Sequence, residues 1–157
     1  MSRFLQLREL KTKQDDAISE YWRDLQGTVG VIREGFSNFL ELPETTYLDN
    51  ERNETPYVRI AKVVNGDYKY VMLHELPGKD GFLEFAIGLT LDRGVSTYPK
   101  QTIFTSLKLK KEEGGYLVTS SENNLTHRSS GSGLDADFSG LYESLFDILR
   151  KHLSYRP

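Results

Sequence analysis

The chain contains no cysteine among its 157 residues. Disulfides, thiolate zinc sites, iron–sulfur clusters and thiol nucleophiles are therefore excluded. It also has no excess of positive charge: 20 Lys and Arg stand against 23 Asp and Glu, a formal net charge of −3. A protein that grips nucleic acid non-specifically needs a positive field, so nucleic acid is not an expected partner. No apolar run approaches the ~18 residues of a membrane-spanning helix, and a membrane is not expected either. The opening Met1-Ser2-Arg3-Phe4-Leu5-Gln6-Leu7-Arg8-Glu9 becomes charged too early for a secretory signal, which makes the cytoplasm the expected compartment. There is no G-x-S-x-G, no Walker sequence, no H-E-x-x-H and no calcium loop. His74, His127 and His152 lie far apart in the chain, so no metal or cofactor is expected.

What is present is enough apolar side chain, 38% of residues, to build one ordinary domain. A chain of this size buries roughly 68–70% of its unfolded surface. Ile18, Trp22, Leu25, Val29, Ile32, Phe36 and Phe39 recur at alternating steps of four and three, one apolar stripe on a helix. A helical region over 15–41 follows, with Asp15 or Asp16 at its start and Pro43 as its stop. Gly27, Gly30 and Gly35 each weaken a helix by up to ~1 kcal/mol relative to Ala. A break near Gly27-Thr28 is therefore expected, or a strand over 28–32. The stripe can pack on the protein's own sheet or form a coiled-coil homodimer, and the three glycines favour the sheet. The first twelve residues show no pattern. Residues 43–56 are acidic and bracketed by prolines, a connection expected to be mobile.

From Tyr57 the period changes to two. Asn65-Gly66 marks a two-residue hairpin loop, which sets Ala61 opposite Tyr70 and Val58 opposite Leu73. Pro77-Gly78-Lys79-Asp80-Gly81 reads as a second turn, setting Leu73 opposite Phe85 and Val71 opposite Ile87. Both registers put Val58, Ile60, Phe85 and Ile87 on one buried face, and a one-residue slip in either would destroy that agreement. Gln101–Lys111 and Tyr116–Ser120 continue the alternation. The expectation is an α+β, two-layer fold: an N-terminal helical region, a five-stranded antiparallel meander over 57–120, a flexible polar loop over 121–133, and an amphipathic helix over 134–153.

The registers also define a second sheet face. There Tyr57, His74 and Glu84 would form a row across three strands, with Arg59 and Tyr70 beside it. An imidazole next to a carboxylate suits proton transfer. An arginine suits an anion, and tyrosines suit a planar or apolar surface. The loop 92–100 adds Arg93 and Tyr98. Lys100, Lys108, Lys110 and Lys111, with Phe104 on the same strand, form either a nucleic-acid strip or the lysines that protect a sheet edge from aggregation; the second is favoured. No catalytic residue set is visible. The expected function is a small non-catalytic binding or regulatory domain. Tyr57, Arg59, Tyr70, His74, Glu84, Arg93 and Tyr98 would contact a protein partner. The alternatives are a small-ligand binder or enzyme built on His74, Glu84 and Arg59, and an adaptor of the secretion-chaperone or immunity-protein kind. The last is an analogy of size and charge.

Overall fold

The computed structural model describes residues 2–94 and 100–157. Its first element is the helix α1 (Arg3–Phe39), 37 residues long. The Ser2 hydroxyl accepts the Leu5 N–H at 3.1 Å, satisfying one donor that a helix start leaves free. The helix runs through Gly27 without the expected break, and 28–32 is helical. The glycines have another explanation at two positions. A methyl group on Gly35 would sit 2.6 Å from the Tyr142 ring carbon Cζ, and one on Gly30 would lie 3.0 Å from Leu73. The gap in side chains admits a neighbouring element instead of ending the helix. The stripe Leu25, Val29, Ile32 and Phe36 is fully buried against the sheet; that segment packs on its own domain.

Residues 43–56, expected as an open loop, contain a small hairpin of β1 (Thr46–Leu48) and β2 (Glu54–Pro56). Asp49 holds its turn by accepting the N–H groups of Glu51 at 2.9 Å and Asn53 at 2.8 Å.

The main sheet has seven strands: β3 (Val58–Val64), β4 (Asp67–Tyr70), β5 (Gly78–Lys79), β6 (Phe82–Leu91), β7 (Gln101–Glu112), β8 (Gly115–Ser120) and β9 (Leu125–Ser130). Its order is β4-β3-β6-β7-β8-β9, with β5 paired to the start of β6. Asn65 and Gly66 take φ of 51° and 83°, as the expected hairpin turn requires, and Ala61 faces Tyr70. The pairing stops there. Val71 and the residues after it leave the sheet, and Leu73–Glu75 forms a 3-10 turn. Leu73 and Leu76 both pack on the core, which their three-residue spacing allows in a turn but not in a strand. The place beside β6 expected for that strand is taken by β3 itself: Val58 faces Leu89 and Ile60 faces Ile87. The expected meander is therefore corrected in its neighbours, not in its faces. Alternation fixes which side of a strand is buried, and any antiparallel partner that matches apolar to apolar satisfies it equally.

The polar segment 121–133 is corrected too. It contributes β9, which pairs residue for residue with β8 from Gly115–Ser130 to Ser120–Leu125. Its backbone needs a partner whatever its side chains are, and β8 has a free edge to give. The helix α2 (Ser139–Leu153) follows, with Arg150, Lys151 and His152 in its last turn, where the helix dipole favours cations. Leu141, Leu145 and Leu149 point inward. The fold is α+β: two helices cover one face of a largely antiparallel sheet. None of the described helices is long and apolar enough to cross a membrane.

One polar knot ties the layers. The buried Tyr116 hydroxyl donates to Asp24 at 3.1 Å and accepts the Gly133 N–H at 3.2 Å. Lys111 closes on the same Asp24 carboxylate at 2.9 Å. The hydrogen bond and charge of Asp24 raise the Lys111 pKa above its ordinary value.

Candidate functional site

The face of the sheet away from the helices carries the residues of interest. Its middle is built from small side chains. Ala61 faces Ala86, Arg59 faces Gly88, and Gly88 in turn faces Phe104. This floor lets three rings lie down on the sheet. The Phe104 ring covers Gly88 so closely that a methyl group there would lie 2.8 Å from its edge. Tyr68 stacks on Phe104 with ring centroids 4.2 Å apart and planes 9° from parallel. Its hydroxyl shares a 3.2 Å hydrogen bond with Ser106. Tyr70 also packs on Phe104, with ring centroids 5.9 Å apart and planes tilted by 45°. The Arg59 guanidinium lies 3.4 Å from the Tyr70 ring centre, in the range of a strong cation–π contact. Tyr68 and Tyr70 remain exposed.

Beside this patch the sheet edge is open. The β3–β4 pairing ends at Ala61–Tyr70, so Val58, Arg59 and Ile60 have a strand only on their β6 side. An open cleft of about 580 Å³ runs along that edge, with Arg33 and Asn38 of α1 on one wall and Thr46, Val58, Arg59 and Tyr70 on the other. Glu34 also lines it. Among the described residues, neither Arg33 nor Arg59 has a carboxylate within ion-pair distance.

The proposed row does not form. Tyr57 lies across from Thr90, whose N–H donates to the Tyr57 carbonyl at 2.9 Å. At ~3.4 Å per residue that is about 20 Å along β6 from Glu84. Glu84 faces Lys108 at 3.8 Å. His74 sits exposed in the 3-10 turn, 4.0 Å from Glu75. The His74–Glu84–Arg59 arrangement behind the enzyme reading is thus absent, because the strand that was to carry His74 leaves the sheet. Arg59 and Tyr70 are brought together, as their shared face implied.

Tyr57 belongs to a second neighbourhood. Its hydroxyl donates to Asp92 at 3.4 Å, and Lys100 closes on the same carboxylate at 2.6 Å. The Lys100 and Asp92 side chains are only 6% and 13% exposed. Tyr57 packs on Tyr47 with ring centroids 5.0 Å apart. Burial first, and the Asp92 charge second, push the Tyr57 phenol above its ordinary pKa. Arg93 lines an adjoining cavity of about 400 Å³ together with Leu40, Leu42, Tyr57 and Leu91. Tyr98 lies outside the described residues.

The lysines do not form one strip. Lys100 is held by Asp92, Lys108 by Glu84 and Lys111 by Asp24, while Lys110 stands over the Phe82 ring at 5.5 Å. Nor do they guard an edge, because β7 lies between β6 and β8.

Sequence reasoning missed Tyr68 and Arg33. The Asn-Gly register already placed Tyr68 two residues from Tyr70 on the same face, so that signal was readable. Arg33 had none, since its place depends on how α1 crosses the sheet. No group of three or more His, Asp and Glu that could hold a metal ion occurs among the described residues. No family model, no curated protein and no solved structure matches this chain.

Proposed function

We propose that this protein is a small non-catalytic binding domain that takes an extended segment of a protein partner along the open edge of β3. The observation that carries the reading is the cleft itself. An unpaired stretch of strand borders a channel of about 580 Å³ whose walls hold Arg33, Arg59 and Tyr70. An incoming strand finds backbone groups to pair with at Val58–Ile60, the recognition mode known as strand addition. Two guanidiniums without carboxylate partners among the described residues favour an acidic side chain or a chain-terminal carboxylate, which arginine grips through two parallel hydrogen bonds. The Tyr68–Phe104–Tyr70 patch extends the contact with apolar area at the interface core, where aromatic residues and arginine concentrate.

The test is a displayed library of random decapeptides, followed by binding of the selected peptides to variants. Acidic, extended sequences should be enriched. Amide resonances of 58–60 should shift on binding, and Arg59→Ala or Tyr70→Ala should weaken binding at least tenfold with the melting temperature little changed. Enrichment of basic peptides, or shifts confined to residues remote from the cleft, would overturn the reading. Unfolding of Arg59→Ala and Tyr70→Ala together would show the patch to be part of the protein's own packing.

A further inference from the structure

Only the second half of α1 touches the domain. Residues 3–20 are exposed throughout, an arm about 27 Å long at ~1.5 Å per residue. It is not a polar arm. Phe4, Leu7 and Ile18 are 64%, 65% and 50% exposed. At the helical repeat they fall on the same side as Trp22, Leu25, Val29 and Ile32, with Leu10 at the margin. The stripe that packs on the sheet continues past it with nothing beneath.

As a lone helix the arm is poorly supported. Isolated helices of this length are marginal in water. Its first turn has no acidic residue, and Arg3 places a cation where the helix dipole disfavours it. Its charges are also sorted. Residues 3–13 carry Arg3, Arg8, Lys11 and Lys13 against Glu9, while 14–20 carry Asp15, Asp16 and Glu20 with no cation. Lys11–Asp15 at 3.1 Å and Lys13–Glu9 at 3.6 Å are exposed pairs within the arm. Arg8 has no ion-pair partner among the described residues. A second copy of the arm laid antiparallel supplies both an apolar cover and that partner. Arg8 and Asp15 flank the stripe on the same edge, so Arg8 of each copy meets Asp15 of the other while Leu7 of one copy meets Ile18 of the other. A parallel pair would set like charges side by side. Lys11 and Gln14 fall on the stripe near the middle, where polar residues fix register at a cost in stability.

We propose that the protein forms a homodimer through residues 3–20 of α1, packed antiparallel on the same segment of a second copy. The proposal is independent of the cleft, and either can fail alone. Light scattering of the full chain across a hundredfold range of concentration should show the mass rising from 18.0 kDa towards twice that value. Asp15→Lys should shift the monomer–dimer midpoint to higher concentration, and adding Arg8→Glu should bring it back. The chain's lack of cysteine makes orientation testable. An equimolar mixture of Leu7→Cys and Ile18→Cys proteins should oxidise to a covalent dimer, and either alone should not, since a disulfide needs Cα atoms within ~7 Å. The sheet domain should stay folded in every variant by near-ultraviolet circular dichroism, while a variant that dissociates should lose helical signal from the arm. A monomer at every concentration overturns the proposal. So does self-linking of Leu7→Cys alone, which would mean a parallel pair. Binding of a monomeric chain to vesicles of anionic phospholipid would assign the arm to a membrane surface instead.

Discussion

Replacing Gly27 and Gly35 by alanine should move stability in opposite directions, although both sit inside the same helix. Alanine in a helix interior is favoured over glycine by ~0.8–1.0 kcal/mol. At Gly27 an added methyl group finds no atom within 4 Å, so Gly27→Ala should gain about 1 kcal/mol. For a domain of this size that raises the melting temperature by roughly 2–4 °C. At Gly35 the methyl group would lie 2.6 Å from Tyr142 Cζ, with the hydroxyl closer still. Tyr142 also packs on Phe36 and Phe39 with ring centroids 6.1 and 6.0 Å away, so it cannot swing aside without losing burial. Overpacking of this kind costs ~1–3 kcal/mol. Set against the same helical gain, Gly35→Ala should lose about 1 kcal/mol, which separates the two variants by roughly 4–8 °C. Differential scanning calorimetry measures both. Shortening Tyr142 to leucine should then shrink the Gly35→Ala penalty, as coupled neighbours do. A drop in melting temperature for Gly27→Ala would mean that the helix breaks there, as its glycine content alone suggests. Equal gains at both positions would mean that α2 does not lie against Gly35.

Three further outcomes follow from polar groups at the layer contacts. Burial, with the Asp137 charge behind it, pushes the Tyr142 phenol up from 10.0 to about 12. The folded state then holds that proton more tightly than the unfolded state, so the contribution of Tyr142 to stability is full below about pH 10 and is lost between about pH 10 and 12; urea midpoints should fall across that window, and less steeply in Tyr142→Phe. Tyr116→Phe removes the hydroxyl shared by Asp24 and Gly133 and should cost ~1–3 kcal/mol in equilibrium unfolding, because both partners lose a bond in the interior. Lys100→Ala leaves the largely buried Asp92 without its cation and should cost ~3–5 kcal/mol by urea titration, whereas surface pairs such as Lys108–Glu84 should cost under ~1 kcal/mol.

The parts of the fold legible in the sequence were those set by short-range physics. Helical spacing gave the Leu25–Phe36 stripe. The Asn-Gly pair gave its turn, because both positions need positive φ. Alternation placed Val58, Ile60, Phe85 and Ile87 in the core, and all four are buried there. Strand neighbours were not legible, since pairing β6 with β3 or with the chain after β4 buries the same face. Strand β9 escaped because its side chains, Thr126, His127, Arg128, Ser129 and Ser130, give little apolar signal. Its formation depends on the hydrogen-bonding needs of β8, which no local pattern records. The length of α1 was underestimated because Lys11 and Gln14 interrupt the stripe between Leu7 and Ile18, so its apolar spacing reads as starting at Ile18.

The same division decides which candidate residues stayed together. Arg59 and Tyr70 depend on the face and on the hairpin turn alone, and they meet. Tyr57, His74 and Glu84 required a particular third strand as neighbour, and they part. The departure of that strand also leaves the edge of β3 open at Val58–Ile60, so the error in topology and the cleft have one cause. Had residues 71–76 continued the ladder, they would have filled the channel that Arg33, Arg59 and Tyr70 now line. The three-residue spacing of Leu73 and Leu76 draws the chain down to the core and withdraws the strand. A variant that breaks this spacing, such as Leu76→Thr, removes the apolar hold on the turn while favouring an extended chain. It should lose stability through exposure of the core and also lose peptide binding at the edge. Binding that survives in the folded fraction of Leu76→Thr would mean that the turn does not keep the edge open.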